Sequence, residues 1–508
     1  MSNLRGRSQS IIFLALLAAA CLLLCGLASA APSITLSKKT GPPTSRILVS
    51  GRGFAPHVGV DIYFDTKDEA VATANSAGSF FQIAIPASAS ALPGDHWVSA
   101  VGRSGQNHAQ ARFDVHANWR QFHRLNMQRR NPFENVLNVH NVGKLRLKWI
   151  YATGDQVWSS PAVANGVVYV GSYNGNVYAL NASTGAKLWT YATADPVVSS
   201  PAVANGVVYV GSWDNNVYAL NASTGAKLWG YATGDRVYAS PAVANGVVYV
   251  GSSDRNLYAL NASTGALLWS YATGIEYSGP AVANGVVYVG SDYPDNNVYA
   301  LNASTGGLVW SYAAGCCGVE TSPTVANGVV YFGSTEDGNV YALNASTGEM
   351  RWKYAAGYDG ESSHAVANGV VYFGSLDKNV YALNASTGAL LWSYPTGTYV
   401  HSSPAVANGV VYVGSADNNV YALNAKTGAK LWSYLTDGYV ESSPAVANGV
   451  MYVGSVGVDP LHGSVYAFGL PDSDQLKRGT VPQRPDPKTL RPDFSLKPSK
   501  PAANTVRP

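Results

Sequence analysis

The stretch PAVANGVVYVGSYNGNVYALNASTGAKLW, residues 161–189, decides the fold, because the chain repeats it with small changes. A tryptophan closes each complete copy and recurs every 40 to 42 residues. Copies begin at Pro161, Pro201, Pro241, Pro280, Pro323, His364, Pro404 and Pro444. A fixed period of this length indicates a repeat architecture, here with eight units.

One copy contains four short strand patterns separated by turns. PAVA is the first, and Asn165-Gly166 supplies the positive φ angles of a tight hairpin turn. VVYVG is the second, and its unbroken apolar run predicts burial on both faces. NVYALNA and AKLWTYAT, joined through Thr184-Gly185, are the third and fourth. Four short antiparallel strands repeated eight times predict an all-β fold, an eight-bladed β-propeller of four-stranded antiparallel blades.

The ends of the repeat region predict how the ring closes. Residues 144–154, KLRLKWIYATG, match a fourth strand that lacks the first three, and the last copy stops at VYAFGL without a fourth. We expect residues 144–154 to complete the last blade of a propeller that spans 144–470. Closure of this kind removes free strand edges that would invite aggregation.

The first 30 residues predict export from the cytoplasm. Arg5 and Arg7 precede an apolar run at 11–25, and small residues at 28–30 mark a cleavage site for a signal peptide. An uncleaved anchor is the alternative, because residues 11–30 could just span a bilayer. Cys21 gives a weak lipoprotein signal. We expect contact with a membrane only through an uncleaved or lipidated N-terminus.

Three further segments flank the repeats. Residues 32–117 alternate in short strand patterns broken by Gly and Pro. Residues 118–143 are expected to be a linker that packs on the propeller. Residues 471–508 are rich in proline and basic residues, which predicts a disordered tail.

The segment 32–117 carries a recognisable set of glycines and prolines. The set is Gly51, Gly53, Phe54, Ala55, Pro56, Pro93, Gly94 and Val98. It resembles the small immunoglobulin-like (IPT/TIG-type) modules of bacterial surface proteins. The resemblance implies a small Ig-like β-sandwich that acts as a spacer or a binding unit.

The composition excludes one class of partner. Charged residues make up 12% of the chain and the net charge is +3. Nucleic-acid binding is not expected, because so few cations cannot neutralise a run of phosphates. The 52 glycines and 32 tyrosines suit short strands and tight turns. We expect a monomer.

The end of each copy carries a motif of wider significance. In the first copy Ala179, Asn181, Thr184, Gly185 and Trp189 form Ala-x-Asn-x-x-Thr-Gly-x-x-x-Trp. The motif resembles the tryptophan-docking motif of the pyrroloquinoline quinone (PQQ) propeller family, and the resemblance covers residues 119–470. It implies that the tryptophans pack between neighbouring blades. They are Trp149, Trp189, Trp229, Trp269, Trp310, Trp352, Trp392 and Trp432.

The residue before Ser-Ser-Pro, or its equivalent, differs from copy to copy while the surrounding repeat does not. In chain order it is Trp158, Val198, Tyr238, Tyr277, Glu320, Glu361, His401 and Glu441. Half of the ring is apolar or aromatic, and the other half carries three glutamates and a histidine. Neutral drift of loop residues is one interpretation. The functional interpretation is a channel mouth with stacking on one side and a metal ion or amine held by Glu320, Glu361, His401 and Glu441 on the other.

The PQQ family mixes quinoprotein alcohol and sugar dehydrogenases with non-catalytic members such as the outer-membrane assembly factor BamB, so the motif predicts fold and not function. A dehydrogenase needs Ca²⁺ ligands, a general-base carboxylate and a site for a flat cofactor. The resemblance places one calcium ligand of the catalytic members on a Gly-Ala-Glu-Phe-Gly-type loop. The corresponding loops here are GSYNGN, GSWDNN, GSSDRN and GSADNN, whose acidic residues fit hairpin turns.

The sequence therefore favours an exported, non-catalytic binding or scaffold propeller at the cell envelope. Its expected partner is a protein or an envelope polymer rather than a small-molecule substrate. A PQQ-dependent alcohol or sugar dehydrogenase that uses Ca²⁺ is the first alternative. An assembly factor like BamB is the second.

Cys316 and Cys317 are the only cysteines beyond the N-terminal leader. In an oxidising compartment such a pair bridges internally, bridges two chains or stays free. Several quinoprotein dehydrogenases have an adjacent disulfide against the PQQ ring, and GCCGVE resembles that feature. The resemblance makes Cys316, Cys317 and Trp158, which lies across the ring, candidates for contact with PQQ.

We expect Cys316 and Cys317 to form a vicinal disulfide, because Gly315 and Gly318 beside them permit unusual backbone angles. Alkylation of the native protein without reductant should then add no mass to the tryptic peptide that contains them. The same peptide should gain two alkyl groups after reduction, which controls for accessibility. Two alkyl groups before reduction would contradict the bridge.

Overall fold

The computed structural model describes residues 31–103, 107–120, 129–315, 318–335, 337–357, 362–457 and 463–471. The chain divides into two compact units that part between His116 and Ala117. Within these ranges no helix has the length and hydropathy needed to cross a membrane.

The first unit contains two β-sheets. The three-stranded sheet consists of Ser33–Leu36, Arg46–Arg52 and Phe80–Pro86. The five-stranded sheet consists, in spatial order, of Thr40–Gly41, His108–Val115, Gly94–Gly102, Gly59–Phe64 and Lys67–Thr73. Ile47, Ile62 and Phe113 belong to one core of this unit. The Ig-like assignment remains a prediction.

The second unit is the β-propeller, and its blades are antiparallel sheets. First strands of neighbouring blades contact one another and lie innermost. They are Ala162–Ala164, Ala202–Ala204, Ala242–Ala244, Ala281–Ala283, Thr324–Ala326, Ala365–Ala367, Ala405–Ala407 and Ala445–Ala447. We number blades 1 to 8 in this order.

The second and third strands of each blade form its buried middle. The second strands are Val167–Gly171, Val207–Gly211, Val247–Gly251, Val286–Gly290, Val329–Gly333, Val370–Gly374, Val410–Gly414 and Val450–Gly454. The third strands are Asn176–Asn181, Asn216–Asn221, Arg255–Asn261, Asn297–Asn302, Asn339–Asn344, Asn379–Asn384, Asn419–Asn424 and Ser464–Gly469. Unbroken burial of the second strands reflects a neighbouring blade on each face.

The fourth strands form the outer edges of the blades. They are Lys187–Ala192, Lys227–Ala232, Leu267–Ile275, Leu308–Ala313, Met350–Ala355, Leu390–Pro395, Lys430–Leu435 and, for blade 8, Arg146–Ala152. Arg146–Ala152 precedes all the other blade strands in the chain and pairs antiparallel with Ser464–Gly469. Blade 8 therefore joins the two ends of the propeller sequence.

Shorter elements complete the second unit. Arg130–Asn131 pairs in parallel with the first strand of blade 7. Gly438–Tyr439 pairs with Val456–Gly457, and Val142–Lys144 is a 3₁₀ turn.

The segment that precedes the N-terminal strand is held by blades 1, 7 and 8. Trp119 is buried and exchanges backbone hydrogen bonds with Val163 of blade 1. The Arg129 guanidinium is fully buried and donates to the carbonyls of Ser403, Pro404 and Pro444. Burial lowers the pKa of Arg129 to about 9. These hydrogen bonds fix the segment to blade 1 on one side of the ring closure and to blades 7 and 8 on the other.

The motif tryptophans lie between blades. The Trp149 indole donates to the Ala182 carbonyl of blade 1 at 3.0 Å, and its ring covers Gly185 so closely that a Cβ there would lie 2.7 Å away. Gly185 also has a φ of +73°, so glycine is required on two counts. Trp432 differs and donates to the Leu145 carbonyl, because the Thr-Gly turn is missing from blade 8.

We expect replacement of Trp149 by Ala to destabilise the propeller by about 3–5 kcal/mol, the usual cost of emptying a large buried aromatic site. Trp149 sits on the strand that closes the ring, so chemical denaturation should report both the docking and the closure. Trp158→Ala is the matched control, because that side chain is 41% exposed and should change the unfolding free energy by less than about 0.5 kcal/mol. Equal effects of the two substitutions would contradict this account.

Candidate functional site at the channel mouth

One face of the propeller collects the variable loops. In a four-stranded antiparallel blade the loop between strands two and three lies at the same end as the loop that leads into the next blade. We call this face the mouth. It carries both the residues that precede the first strands and the short loops such as GSYNGN. The opposite face carries the repeated Asn-Gly and Thr-Gly turns.

Serines fix the backbone around the mouth. The Ser159 hydroxyl donates to the Ser199 carbonyl of the next blade at 3.1 Å, and the Ser160 backbone N–H donates to the Ser200 hydroxyl at 2.9 Å. Other blades repeat one or both bonds, and Ser443 donates to the Ser160 hydroxyl across the closure. Gly279 of blade 4 stands at the position of Ser160 and has no hydroxyl that could accept such a bond. The Ser-Ser-Pro sequence is thus a structural belt, and the residue before it is held at a defined place.

The structure places the predicted site residues around this belt. The Trp158 indole donates to the side chain of Gln156 at 2.7 Å. Glu320, His401 and Glu441 are partly exposed in three different blades. Cys316, Cys317 and Glu361 lie outside the described residues. Where the chain is described, no three His, Cys, Asp or Glu side chains are close enough to hold a metal ion.

The aspartates of the mouth hairpins are engaged in internal hydrogen bonds. Asp214 accepts from the Tyr218 hydroxyl at 2.7 Å and from the Asn216 backbone N–H at 3.1 Å. The same tyrosine bond recurs at Asp254, Asp295, Asp337, Asp377 and Asp417. These carboxylates stabilise turns, which agrees with the hairpin interpretation of the sequence.

Four aromatic side chains form a continuous arc along the mouth from blade 1 to blade 4. Tyr173 and Trp213 have ring centroids 5.2 Å apart, Trp213 and Tyr238 4.8 Å, and Tyr238 and Tyr277 4.9 Å. The Arg236 guanidinium lies 5.1 Å from the Trp213 ring. Contacts at this spacing hold the rings in fixed orientations. We call these four side chains the aromatic arc.

The sequence indicated only half of this arc. Tyr238 and Tyr277 precede the first strands and were recognised as variable positions. Tyr173 and Trp213 lie in the loops GSYNGN and GSWDNN, which look interchangeable with their counterparts. The available signal was an aromatic residue where other copies have Ser, Leu or Ala at the same place. Only the fold shows that the two sets meet.

Blade 4 contains a second carboxylate that the sequence analysis did not single out. Its loop, GSDYPDNN, is two residues longer than loops such as GSYNGN and GSWDNN. Asp295 takes the hairpin role there and binds the Tyr299 hydroxyl at 2.5 Å. The Asp292 side chain does not take part in the hairpin, and its Oδ1 is buried without a hydrogen-bond partner among the described residues. Its Oδ2 accepts weakly from the Tyr277 backbone N–H at 3.4 Å.

Burial is the main reason that the pKa of Asp292 is raised, to about 7. The carboxylate of Glu276 raises it further, whereas backbone N–H groups and the more distant Arg255 lower it. Gly318, which follows the cysteine pair, approaches this loop, since a Cβ there would lie 3.5 Å from the Asp292 Cα. Asp292 therefore changes charge in the neutral pH range beside the end of the aromatic arc.

The family model described as outer membrane protein assembly factor BamB matches residues 119–277, 272–364 and 336–483. Together these ranges cover more than half of the chain. The chain belongs to this family of PQQ-like propellers. No curated protein matches it.

Solved structures share the propeller fold of this PQQ-like protein. The quinohemoprotein alcohol dehydrogenase ADHIIG from Pseudomonas putida HK5 is 20% identical over 70% of this chain and 80% of its own, with a TM-score of 0.62. BamB from Moraxella catarrhalis is 22% identical over 64% of this chain and 99% of its own, with a TM-score of 0.56. A europium-containing methanol dehydrogenase is 16% identical over 70% of this chain and 98% of its own, with a TM-score of 0.61. At such identities the likeness shows the fold alone.

The described mouth of this PQQ-like propeller does not fit a calcium–quinone centre. Calcium takes six to eight oxygen ligands, and the hairpin carboxylates that could supply them bind tyrosine hydroxyls and backbone amides instead. Asp292 alone offers an unpartnered carboxylate oxygen among them. The described hairpin carboxylates are therefore structural, with Asp292 as the exception.

We expect Asp292 to make folding stability depend on pH. Its folded pKa lies above its unfolded value, so its contribution to stability is fully present below about pH 4 and is lost as pH rises through about 7. In Asp292→Asn the decrease in the free energy of unfolding between pH 5 and 7 should be smaller by on the order of 2 kcal/mol. Urea titrations at several pH values measure it.

The control is Asp235→Asn, which changes an exposed aspartate in the loop that leads into the first strand of blade 3. It should leave the pH profile of stability as in the unsubstituted protein. A profile unaltered by Asp292→Asn would show that the carboxyl is solvated in solution.

Proposed function

We propose that this PQQ-like propeller is an exported, non-catalytic binding or scaffold protein of the cell envelope, with the mouth as its binding face. The engagement of the hairpin carboxylates carries the proposal. In blades 2, 3 and 7 the loop aspartate binds a tyrosine hydroxyl and two or more backbone or side-chain amides. A carboxylate so engaged stabilises its hairpin and is not available as a ligand for a catalytic metal.

The aromatic arc supports a binding role for the same face. Tyr277 is 46% exposed and Trp158 is 41% exposed, although both lie on a rigid belt. Large aromatic side chains held rigidly in partly exposed positions are a feature of binding surfaces. The arc gives the mouth one apolar side, and Glu320, His401 and Glu441 give it a polar one.

Two observations support the envelope location. The N-terminal 30 residues have the order of charged, apolar and small residues that marks a signal peptide. The family model that matches the propeller is described as an outer membrane protein assembly factor. The partner is then a protein or an envelope polymer, with the first unit as spacer or second binding module.

Two alternatives each have one observation in their favour. For a PQQ-dependent alcohol or sugar dehydrogenase, it is the sequence GCCGVE, whose second glycine, Gly318, lies beside the loop of Asp292. For an assembly role like that of BamB, it is the family match over residues 119–483. The binding proposal is preferred to the first because the described donors do not form a metal site.

Titration of the purified protein with PQQ in the presence of Ca²⁺ tests the proposal. We expect no stoichiometric uptake of PQQ by absorbance after desalting and no alcohol- or sugar-dependent reduction of a dye. A known quinoprotein dehydrogenase stripped of cofactor and reloaded in parallel is the positive control. Uptake of one PQQ per chain with dye reduction would overturn the non-catalytic assignment.

A further inference from the structure

We propose that the corner of the mouth between blades 4 and 5, around Tyr277 and Asp292, binds an organic ammonium ion. The inference rests on the proposed function, because it names a ligand class for the same face. The corner lies at the end of the aromatic arc, where the carboxylates of Glu276, Asp292 and Glu320 act on Tyr277 or on one another.

Tyr277 forms the wall of this corner. Its ring packs against Tyr238 at 4.9 Å on one side and is 46% exposed elsewhere. The pKa of its hydroxyl is raised, first by burial and then by the neighbouring Glu276 carboxylate, with a smaller effect from Glu320 of blade 5. An aromatic face within the field of two carboxylates attracts a cation through both its quadrupole and their charge.

Asp292 supplies the observation that is independent of the acidic cluster. The residue is 9% exposed, and Oδ1 has no hydrogen-bond partner among the described residues. Oδ2 is directed at the backbone N–H of Tyr277, which places the carboxyl at the base of the same corner. Buried carboxylate oxygens are normally paired. A positive group at the corner would compensate for this missing partner.

The strongest charge that acts on Asp292 is the negative charge of Glu276. Glu276 and Glu320 both raise the pKa of the Tyr277 hydroxyl as negative charges. Arg255 is the opposing charge, and its effect on Asp292 is weaker than those of burial and Glu276. Among the described residues, neither Asp292 nor Arg255 has a partner for an ion pair. The carboxylates of Glu276 and Asp292 therefore give the corner a negative field.

The geometry favours an organic cation over a metal ion. A divalent metal needs several oxygens converging at about 2–2.6 Å, and no such group of three acidic or histidine side chains occurs in the described part of the chain. An alkylammonium group needs only a negative field and aromatic contact at about 4–6 Å. The corner has both.

Arg236 sets the number of charges that the ligand carries. Its guanidinium lies over Trp213 and hydrogen-bonds the Tyr238 hydroxyl at 3.3 Å, two rings along the arc from the carboxylates. A second positive group on the ligand would meet this charge. We therefore expect a monocation whose apolar remainder lies along the arc, and not a polyamine.

Choline and its uncharged isostere 3,3-dimethylbutan-1-ol provide the test, with the full-length protein followed by isothermal titration and by saturation-transfer NMR. Choline should bind at millimolar or lower concentration, and the isostere at least about tenfold more weakly. Spermidine should bind no better than choline. Ca²⁺ should not compete at equal concentration. Choline affinity should fall as pH decreases below about 7, when Asp292 becomes protonated beside Glu276 and Arg255.

Substitutions locate the site. Tyr277→Leu should weaken choline binding about tenfold, Tyr277→Phe should keep most of the affinity, and Asp292→Asn should remove the dependence on pH. Tyr439→Leu, at a tyrosine of similar exposure in blade 8, is the matched control and should bind choline normally. Thermal melting of each variant checks that it is folded.

Equal binding of choline and its isostere, or an unchanged choline affinity in a folded Tyr277→Leu variant, would overturn the inference. So would the absence of any choline binding. These outcomes leave the non-catalytic proposal standing, because that proposal fails only through PQQ uptake with dye reduction. The two failures are therefore distinguishable.

Discussion

The packing of one tryptophan between each pair of blades is the constraint on which the rest of the structure depends. A four-stranded blade cannot bury both of its faces alone, so each blade is stable only against its neighbours. The indole supplies area on one blade and a hydrogen bond to the next, as Trp189 does with the Ala222 carbonyl. The requirement for glycine under seven of the eight rings, as at Gly225 under Trp189, follows from this contact.

This constraint explains why the repeats are so alike and where they differ. Residues in the strands, the Asn-Gly turns and the serine belt all maintain contacts between blades, and a change in one copy would disturb the register of the next. The side chain of the residue before the belt takes no part in the hydrogen bonds of the belt. Variation therefore concentrates at the mouth, on a surface whose geometry does not vary.

The aspartates show how one residue type serves two purposes in this ring. Asp417 accepts from the Tyr421 hydroxyl and from backbone amides, and it stabilises a hairpin. Asp292 sits in a longer loop whose hairpin role belongs to Asp295, and its Oδ1 remains buried and unpartnered. The relation to dehydrogenases and to BamB lies in the shared propeller, and the mouth chemistry belongs to this chain.

The sequence by itself determined the period, the four strands of each blade and the positions of the docking tryptophans, because these follow from local turn chemistry and from spacing. It also identified the variable positions Tyr238, Tyr277 and Glu320. Only the tertiary structure decided that Tyr173 and Trp213 continue the line of Tyr238 and Tyr277, since those rings come from different blades and meet through loops. The raised pKa of Asp292 was likewise undetermined, because burial depends on how neighbouring loops cover a side chain and no sequence pattern records that.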